Sequence, residues 1–216
     1  GLSRDSIRRG VDASLERLQT DVIDLYYAHL DDRDTPLEET MGALNELVIE
    51  GKVRHLGASN YSADRLRSAL EIDVPNSYVA LQPLYNLSDR AAFEDDLAAV
   101  TAEEGLAVLP YYALASGFLT GKYRGSDADP STGRSAKALT YLDERGLRIL
   151  AAMDRVAANH GVELASIALA WLSSRPTVVA PVASARTTEQ LVALMASIDL
   201  ELHSDELAIL DAASAA

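Results

Sequence analysis

The sequence predicts an α/β protein built on a parallel sheet, and three observations carry that expectation. Short apolar runs rich in β-branched and aromatic residues alternate with amphipathic helical stretches at a period of roughly thirty residues. Polar or titratable side chains stand just past the C-terminal ends of those runs, where parallel α/β sheets present their ligand-binding groups. No Gly-x-Gly-x-x-Gly follows the first run, which removes the best evidence for a dinucleotide-binding open sheet. Periodicity by itself leaves a closed barrel and a doubly wound sheet both standing.

Each element has its own signal. Ile7, Val11, Leu15 and Leu18 share a helical face, with Ser3 as N-cap and Asp5 in the first turn. Val22-Ile-Asp-Leu-Tyr-Tyr-Ala-His29 reads as a strand that ends on a histidine. Thr35-Pro-Leu-Glu38 is a capping box with proline at the first helical position, and Leu37, Met41, Leu44 and Val48 form the buried stripe of a helix closed by Gly51. Residues 53–58 make the next strand and Ser59-Asn60 the polar tip beyond it. Ser62 caps a helix that buries Leu66 and Leu70, and residues 78–84 form a strand that includes Gln82.

Phe93, Leu97 and Val100 stripe one helix up to Gly105, and residues 106–112 are the fourth strand. Residues 124–140, rich in Gly, Ser, Asp and Pro, read as a long surface loop. Leu147, Leu150 and Met153 mark a helix ending at Gly161, and Leu164, Ile167, Trp171 and Leu172 a second ended by Pro176. Residues 177–182 give a fifth strand, Thr187-Thr-Glu-Gln190 a second capping box, and Leu191, Leu194, Met195 and Ile198 the buried face of the helix it opens. Ser204 caps a short terminal helix, and the 216 residues are read as a single domain.

Composition narrows the function. A formal charge of −14 opposes binding to a phosphate backbone, so nucleic acid is excluded as the expected partner, while a locally basic pocket can still hold a small anion. No apolar run approaches the roughly 18 residues of a membrane span. The chain has no cysteine, which fits a reducing cytoplasm. His55, His160 and His203 have no spacing with carboxylates that suggests a metal site, and none is expected.

Two segments carry a resemblance to a known family. Gly10-Val-Asp-Ala-Ser-Leu-Glu-Arg-Leu-Gln-Thr-Asp-Val-Ile-Asp-Leu-Tyr-Tyr-Ala-His29 and Gly51-Lys-Val-Arg-His-Leu-Gly-Ala-Ser-Asn60 resemble aldo-keto reductases, and the likeness runs in order to the C-terminus. It implies a parallel (β/α)8 TIM barrel, incomplete as given, with about five βα units and a C-terminal helix here. The missing three strands, roughly ninety residues, are expected to precede Gly1. Of the family's catalytic Asp, Tyr, Lys and His, this chain is then expected to hold only the histidine, His29.

The resemblance also implies a cofactor, NADP(H) ahead of NAD(H). Ser59, Asn60 and Gln82 match positions that hold the nicotinamide carboxamide, and Tyr111 the aromatic that stacks on the ring. Tyr112, Leu114 and Ser116 stand in the loop around the pyrophosphate, with Lys122 as a phosphate-contacting lysine, although Tyr112-Ala113 replaces the usual Ser-Pro. Ser184, Arg186 and Gln190 match the adenosine end, where Ala193-Leu194 departs from the common Glu-Asn. Arg186, Lys122 and Arg134 could supply charge to a 2′-phosphate.

The activity so implied is reduction of aldehydes or ketones to alcohols, with His29 hydrogen-bonding the carbonyl of a small-molecule substrate. Without the family's acid, this chain alone is expected to be weakly active or inactive. The alternative is a truncated, non-catalytic relative that binds a nucleotide or self-associates through an open sheet edge. Tyr27, two residues before His29 on the same strand face, reads as packing, as do Tyr85, Asn86 and Trp171.

Overall fold

The computed structural model describes residues 1–124 and 133–215, except for the side chain of Arg134. In chain order its elements are α1 (Arg4–Leu18), β1 (Ile23–Ala28), α2 (Leu37–Ile49), β2 (Val53–Ser59), α3 (Ala63–Leu70), β3 (Tyr78–Gln82), α4 (Ala91–Glu94), α5 (Leu97–Glu103), β4 (Ala107–Val108), α6 (Gly133–Leu139), α7 (Glu144–His160), α8 (Leu164–Ser173), α9 (Thr188–Met195) and α10 (Ser204–Ser214). They fall into two compact units, one of Gly1–Pro83 with Asp96–Val108, the other of Leu84–Asp95 with Leu109–Ala216.

The first unit holds the sheet. Its four strands are all parallel in the order β1-β2-β3-β4, and the register sets Tyr27 opposite Gly57, Ala28 opposite Ala58 and Ser59 opposite Gln82. The β-branched and aliphatic residues of these strands have two apolar faces to cover, and Val53, Leu56, Leu81 and Val108 are fully buried. Helices supply the other side of that core through Val11, Met41, Leu44, Leu47, Leu66 and Val100.

Several boundaries differ from the pattern for identifiable reasons. Thr35 does not cap α2: its hydroxyl donates to Asp32 Oδ2 at 2.9 Å, no side-chain cap bond forms, and Pro36 takes the cap position. Leu47 replaces Val48 in the buried stripe of α2, and Leu18 and Leu70 stay outside the core. The stretch expected as one helix around Phe93 breaks at Asp95–Asp96 into α4 and α5, while Phe93, Leu97 and Val100 are all buried.

In the second unit α7, α8 and α10 pack through Ile149, Leu150, Met153, Ile167, Trp171, Leu172 and Leu210. Leu147 turns outward, and Gly146 takes the inner position on α7. The Trp171 indole N–H donates to Asp211 Oδ1 at 2.9 Å, and the Arg90 and Arg175 guanidinium groups lie 5.4 and 4.7 Å from its ring centre. These contacts fasten α10, whose N-cap is His203, with the expected Ser204 as its first helical residue.

Larger expectations also fail in this unit. Part of the stretch expected as loop forms α6, with residues 125–132 outside the described residues. The fifth strand, residues 177–182, does not form. Pro176 and Pro181 have no N–H to donate to a ladder, and the segment keeps only bridge-like pairing at Val178 and a bond from Val182 N to Pro110 O, 2.8 Å. The helix α9 buries none of its residues: it meets α8 where Ser166 bonds the Ala193 carbonyl, and Leu191, Val192, Met195 and nearby Ile198 are exposed.

Glu206, only 4% exposed, joins α7 to α10 by accepting from His160 Nε2 at 2.8 Å and from the His203 backbone N–H at 3.0 Å. Burial works against its charge, yet the hydrogen bonds from His160, His203 and Asn159 outweigh it and hold the carboxyl below its ordinary range. A depressed folded-state value means stability that is complete above the ordinary carboxylate pKa and is lost as pH falls through the folded one. Glu206→Gln is therefore expected to destabilise by about 1–3 kcal/mol at neutral pH. The gap from the unsubstituted protein should close below the carboxylate range, read from urea unfolding at both pH values. A gap independent of pH would contradict the assignment.

Candidate functional site

Three strand ends are tied together in the first unit. Asn60, the residue after β2, sits in the left-handed region at φ 56°, which Asn tolerates better than most side chains. From there its Nδ2 donates to the His29 carbonyl at 2.9 Å and to Ser59 Oγ at 3.0 Å. Ser59 Oγ in turn donates to the Gln82 carbonyl at 2.8 Å, and Ser59 is 2% exposed. Thus β1, β2 and β3 end on one hydrogen-bonded chain, and His29, immediately after β1, is presented on an exposed rim.

Behind this rim Tyr27 lies across Gly57. A Cβ on Gly57 would stand 2.5 Å from Tyr27 Cε1, closer than carbon atoms approach, so the tyrosine ring occupies the side-chain space of its cross-strand partner. The Tyr27 hydroxyl is buried and, among the described residues, has no hydrogen-bond partner of normal geometry, Gln82 being the polar side chain near it. Burial pushes its phenol up, with an interaction with Gln82 working the other way, so it stays protonated at neutral pH.

The second unit contains a cleft of about 700 Å³, in the range of small-molecule and cofactor sites. Of the residues expected to bind a cofactor, Tyr111, Tyr112, Leu114, Ser116, Lys122, Ser184, Arg186 and Gln190 all line it. His29, Ser59, Asn60 and Gln82 are brought together in the first unit, and the Arg134 side chain lies outside the described residues.

One wall of the cleft is a distorted loop. Tyr112, Ala115, Ser116, Gly117 and Gly121 all have positive φ, and the short 3-10 segment Ala115–Thr120 is broken at Ser116 and Gly117. Glycine at 117 has a reason: at φ 94°, a Cβ there would be 3.4 Å from Lys122 Nζ, so the bare backbone lets the ammonium come close. Tyr111 and Tyr112 meet edge-on, with ring centres 5.2 Å apart.

The opposite wall is the entry to α9. Thr187 accepts from the Gln190 N–H at 3.3 Å, as a capping box requires, but Gln190 Oε1 returns to the Arg186 N–H at 2.9 Å, one residue before the cap. That bond fixes the backbone carrying Arg186.

Two carboxylates that the sequence pattern does not single out, Glu163 and Glu189, also stand in the wall. Glu189 is held below its ordinary range by its own backbone N–H and by the Thr187 hydroxyl. Its place in the first turn of a helix was the available signal. Ala193 and Leu194 also line the cleft, and Ser166 Oγ donates to the Ala193 carbonyl at 2.6 Å.

Comparison with known proteins places this geometry. The family model described as aldo/keto reductase family matches residues 1–215. The chain is similar to Protein tas of Escherichia coli strain K12, 34% identical over 235 residues that cover 98% of this chain and 67% of that protein. It is also similar to L-glyceraldehyde 3-phosphate reductase of Escherichia coli O157:H7, 31% identical over 222 residues, 98% of this chain and 64% of that protein. A solved structure of a thermostable aldo-keto reductase in complex with the inhibitor epalrestat gives a TM-score of 0.80 at 28% identity, covering 98% of this chain and 67% of that one. The chain thus spans about two thirds of the length of these relatives. Its fold class is theirs, a parallel α/β TIM barrel.

The Tyr27–Gly57 contact can be tested directly. Gly57→Ala is expected to cost about 1–3 kcal/mol through overpacking. Tyr27→Leu in the same chain should recover part of that loss, because it removes the colliding ring. Urea unfolding of both single variants and the double variant gives the coupling, and simple additivity would show that the ring does not set the glycine.

Proposed function

Because the chain belongs to the aldo/keto reductase family, we propose that it serves an NADPH-dependent reduction of a small aldehyde or ketone, with the second unit binding the dinucleotide. The observation that carries the proposal is the cleft. A dinucleotide phosphate needs a flat aromatic surface for a ring, cations for its phosphates and a groove of several hundred Å³. Tyr111, Lys122 and Arg186 line such a groove of about 700 Å³. The residues present fit the group.

When bound, the reduced nicotinamide supplies the hydride. The chain's own residues bind, orient and polarise. Lys122 and Arg186 take the phosphate charge, Arg186 as a planar fork suited to a 2′-phosphate. Ser59, Asn60 and Gln82 are assigned to the carboxamide by resemblance. His29 directs an imidazole N–H at the substrate carbonyl and stabilises the negative charge that develops on its oxygen. Among the family's four catalytic residues these 216 positions match the histidine, so the proton to that oxygen is assigned to the family's tyrosine and not to Tyr27. We place the activity in the cytoplasm.

A second reading, self-association, has a specific observation behind it. Leu191, Val192, Met195 and Ile198 are 48–68% exposed on and beside one short helix, more apolar surface than scattered single residues explain. Among the described residues β1 also pairs on one side only.

Two measurements follow. Titration followed by nicotinamide fluorescence should show saturable binding of NADPH. Arg186→Ala should weaken NADPH by about ten- to a hundredfold, the scale of one charge-assisted contact, with little effect on NADH. Absence of saturable binding by either nucleotide would overturn the proposal. In sedimentation, the protein should show concentration-dependent dimers that Val192→Lys with Ile198→Lys abolishes, and a monomer at all concentrations would remove the second reading.

A further inference from the structure

The cleft's loop is held in shape from behind by a residue that never lines the cleft. Asn86 is completely buried, and its side-chain amide makes four hydrogen bonds. Oδ1 accepts from the Ser88 N–H at 2.8 Å and the Asp89 N–H at 3.0 Å, while Nδ2 donates to Asp89 Oδ2 and to the Tyr112 carbonyl, both at 3.0 Å. The amide has only one workable orientation. Turned over, it would set N–H against N–H on one side and oxygen against oxygen on the other.

The carbonyl it grips belongs to the residue where the loop departs from ordinary backbone. Tyr112 has φ 52°, and its carbonyl also accepts the Ala115 N–H at 2.7 Å, which starts the turn leading into the left-handed run 115–117. Left alone, a tyrosine relaxes out of that region, because its Cβ crowds the backbone there. The donor from Asn86 opposes that relaxation by keeping the carbonyl directed inward. Ser116, Gly117 and Lys122, which follow, line the cleft.

Asn86 is itself braced. Asp89 Oδ2 receives a second donor, the Tyr141 hydroxyl, at 2.7 Å, and Arg145 donates to the Ser88 carbonyl at 2.8 Å. Burial pushes the Tyr141 phenol up and the neighbouring Asp89 carboxylate pushes it further, so it remains a donor at every physiological pH. The result is a relay from α6's far end through Tyr141, Asp89 and Asn86 to the Tyr112 peptide.

We infer that Asn86, braced by Asp89 and Tyr141, is a positioning residue that sets the loop 112–122 in the shape that receives the cofactor's pyrophosphate. The inference rests on the reductase reading above and deepens it. Asn86 touches no ligand in this scheme; it acts through the Tyr112 carbonyl.

The test separates loop shape from general stability by using two ligands on the whole protein. NADPH needs the loop, whereas adenosine 2′-phosphate, which lacks the pyrophosphate, reports the Arg186 and Gln190 end of the cleft. Asn86→Asp keeps size and both Oδ1 contacts and loses the two donors. It should weaken NADPH by at least about tenfold and adenosine 2′-phosphate by less than about twofold. Tyr141→Phe, a milder change that preserves packing, should weaken NADPH alone by about two- to fivefold. Lowering the pH from about 8 to about 5.5 should recover part of the loss in Asn86→Asp, relative to the unsubstituted protein, as the introduced carboxyl takes up a proton and becomes a donor again.

Equal losses for the two ligands, or none for NADPH in either variant, would overturn the inference. If the unsubstituted protein bound adenosine 2′-phosphate as tightly as NADPH, the loop assignment alone would fall. If it bound neither, the reductase reading would fall first and take the inference with it.

Discussion

One carboxamide group sets the geometry of the sheet's working edge. Parallel strands end with carbonyls that have no further ladder partner, and an end left to water frays and carries its side chains with it. Asn60 supplies the missing donors. Its left-handed backbone swings the amide back over the sheet, where it holds the His29 peptide directly and the Gln82 peptide through Ser59 Oγ. Each bond contributes only about 0.5–1.5 kcal/mol net. What matters is that the three are linked, so His29 cannot shift without also disturbing β2 and β3.

The second unit solves a different problem. Its cleft is shaped by backbone held away from relaxed conformations, with non-glycine residues in the left-handed region at positions 112, 115 and 116. Such positions cost on the order of 1–2 kcal/mol each, and the turn hydrogen bonds into and within the loop must offset that. Proline has a part as well. Pro110, Pro176 and Pro181 have no N–H to donate to a ladder, and next to two of them Tyr111 and Val182 line the cleft. The first unit therefore fixes its groups by regular pairing, the second by strain with compensation.

Legibility in the sequence follows this division. His29, Ser59, Asn60 and Gln82 could be read because each ends a strand whose apolar run is local and continuous, and Thr187 because a cap needs only three residues. Thr35 matches a capping box, yet its hydroxyl is bound to Asp32 and the helix takes Pro36 as its cap residue, a one-residue shift of start that local pattern does not resolve. Leu147, Leu191 and Met195 fail for another reason: amphipathic spacing shows that a helix has an apolar stripe, and says nothing of whether a neighbour covers it. Residues 177–182 were β-branched enough to suggest a strand, but ladder formation depends on partners that can donate and accept in turn. Asn86 reads as loop packing because its significance lies in a carbonyl 26 positions away, beyond any motif.

Charge poses the remaining physical question, since a chain of net charge −14 is asked to receive a polyanion. Screening decides it. At physiological ionic strength the Debye length is about 8 Å, so most of the protein's carboxylates are not felt inside the cleft, while groups lining it act nearly unscreened. There Lys122 and Arg186 face Glu163 and Glu189, a balance of two against two. Formal charge is then neutral, and selectivity has to come from direction. Glu189 is already engaged by its own N–H and the Thr187 hydroxyl, which draws its negative charge toward the helix start. Lys122 is drawn close to the bare backbone at Gly117, and Arg186 rides on a backbone pinned by Gln190. With Glu189 satisfied locally, Lys122 beside Gly117 and the Arg186 backbone pinned, a bound anion meets cations at short range while the rest of the protein's charge is screened from it. Affinity should thus come from the contacts inside the cleft and be expressed in the rate of release, with electrostatic steering contributing little to association.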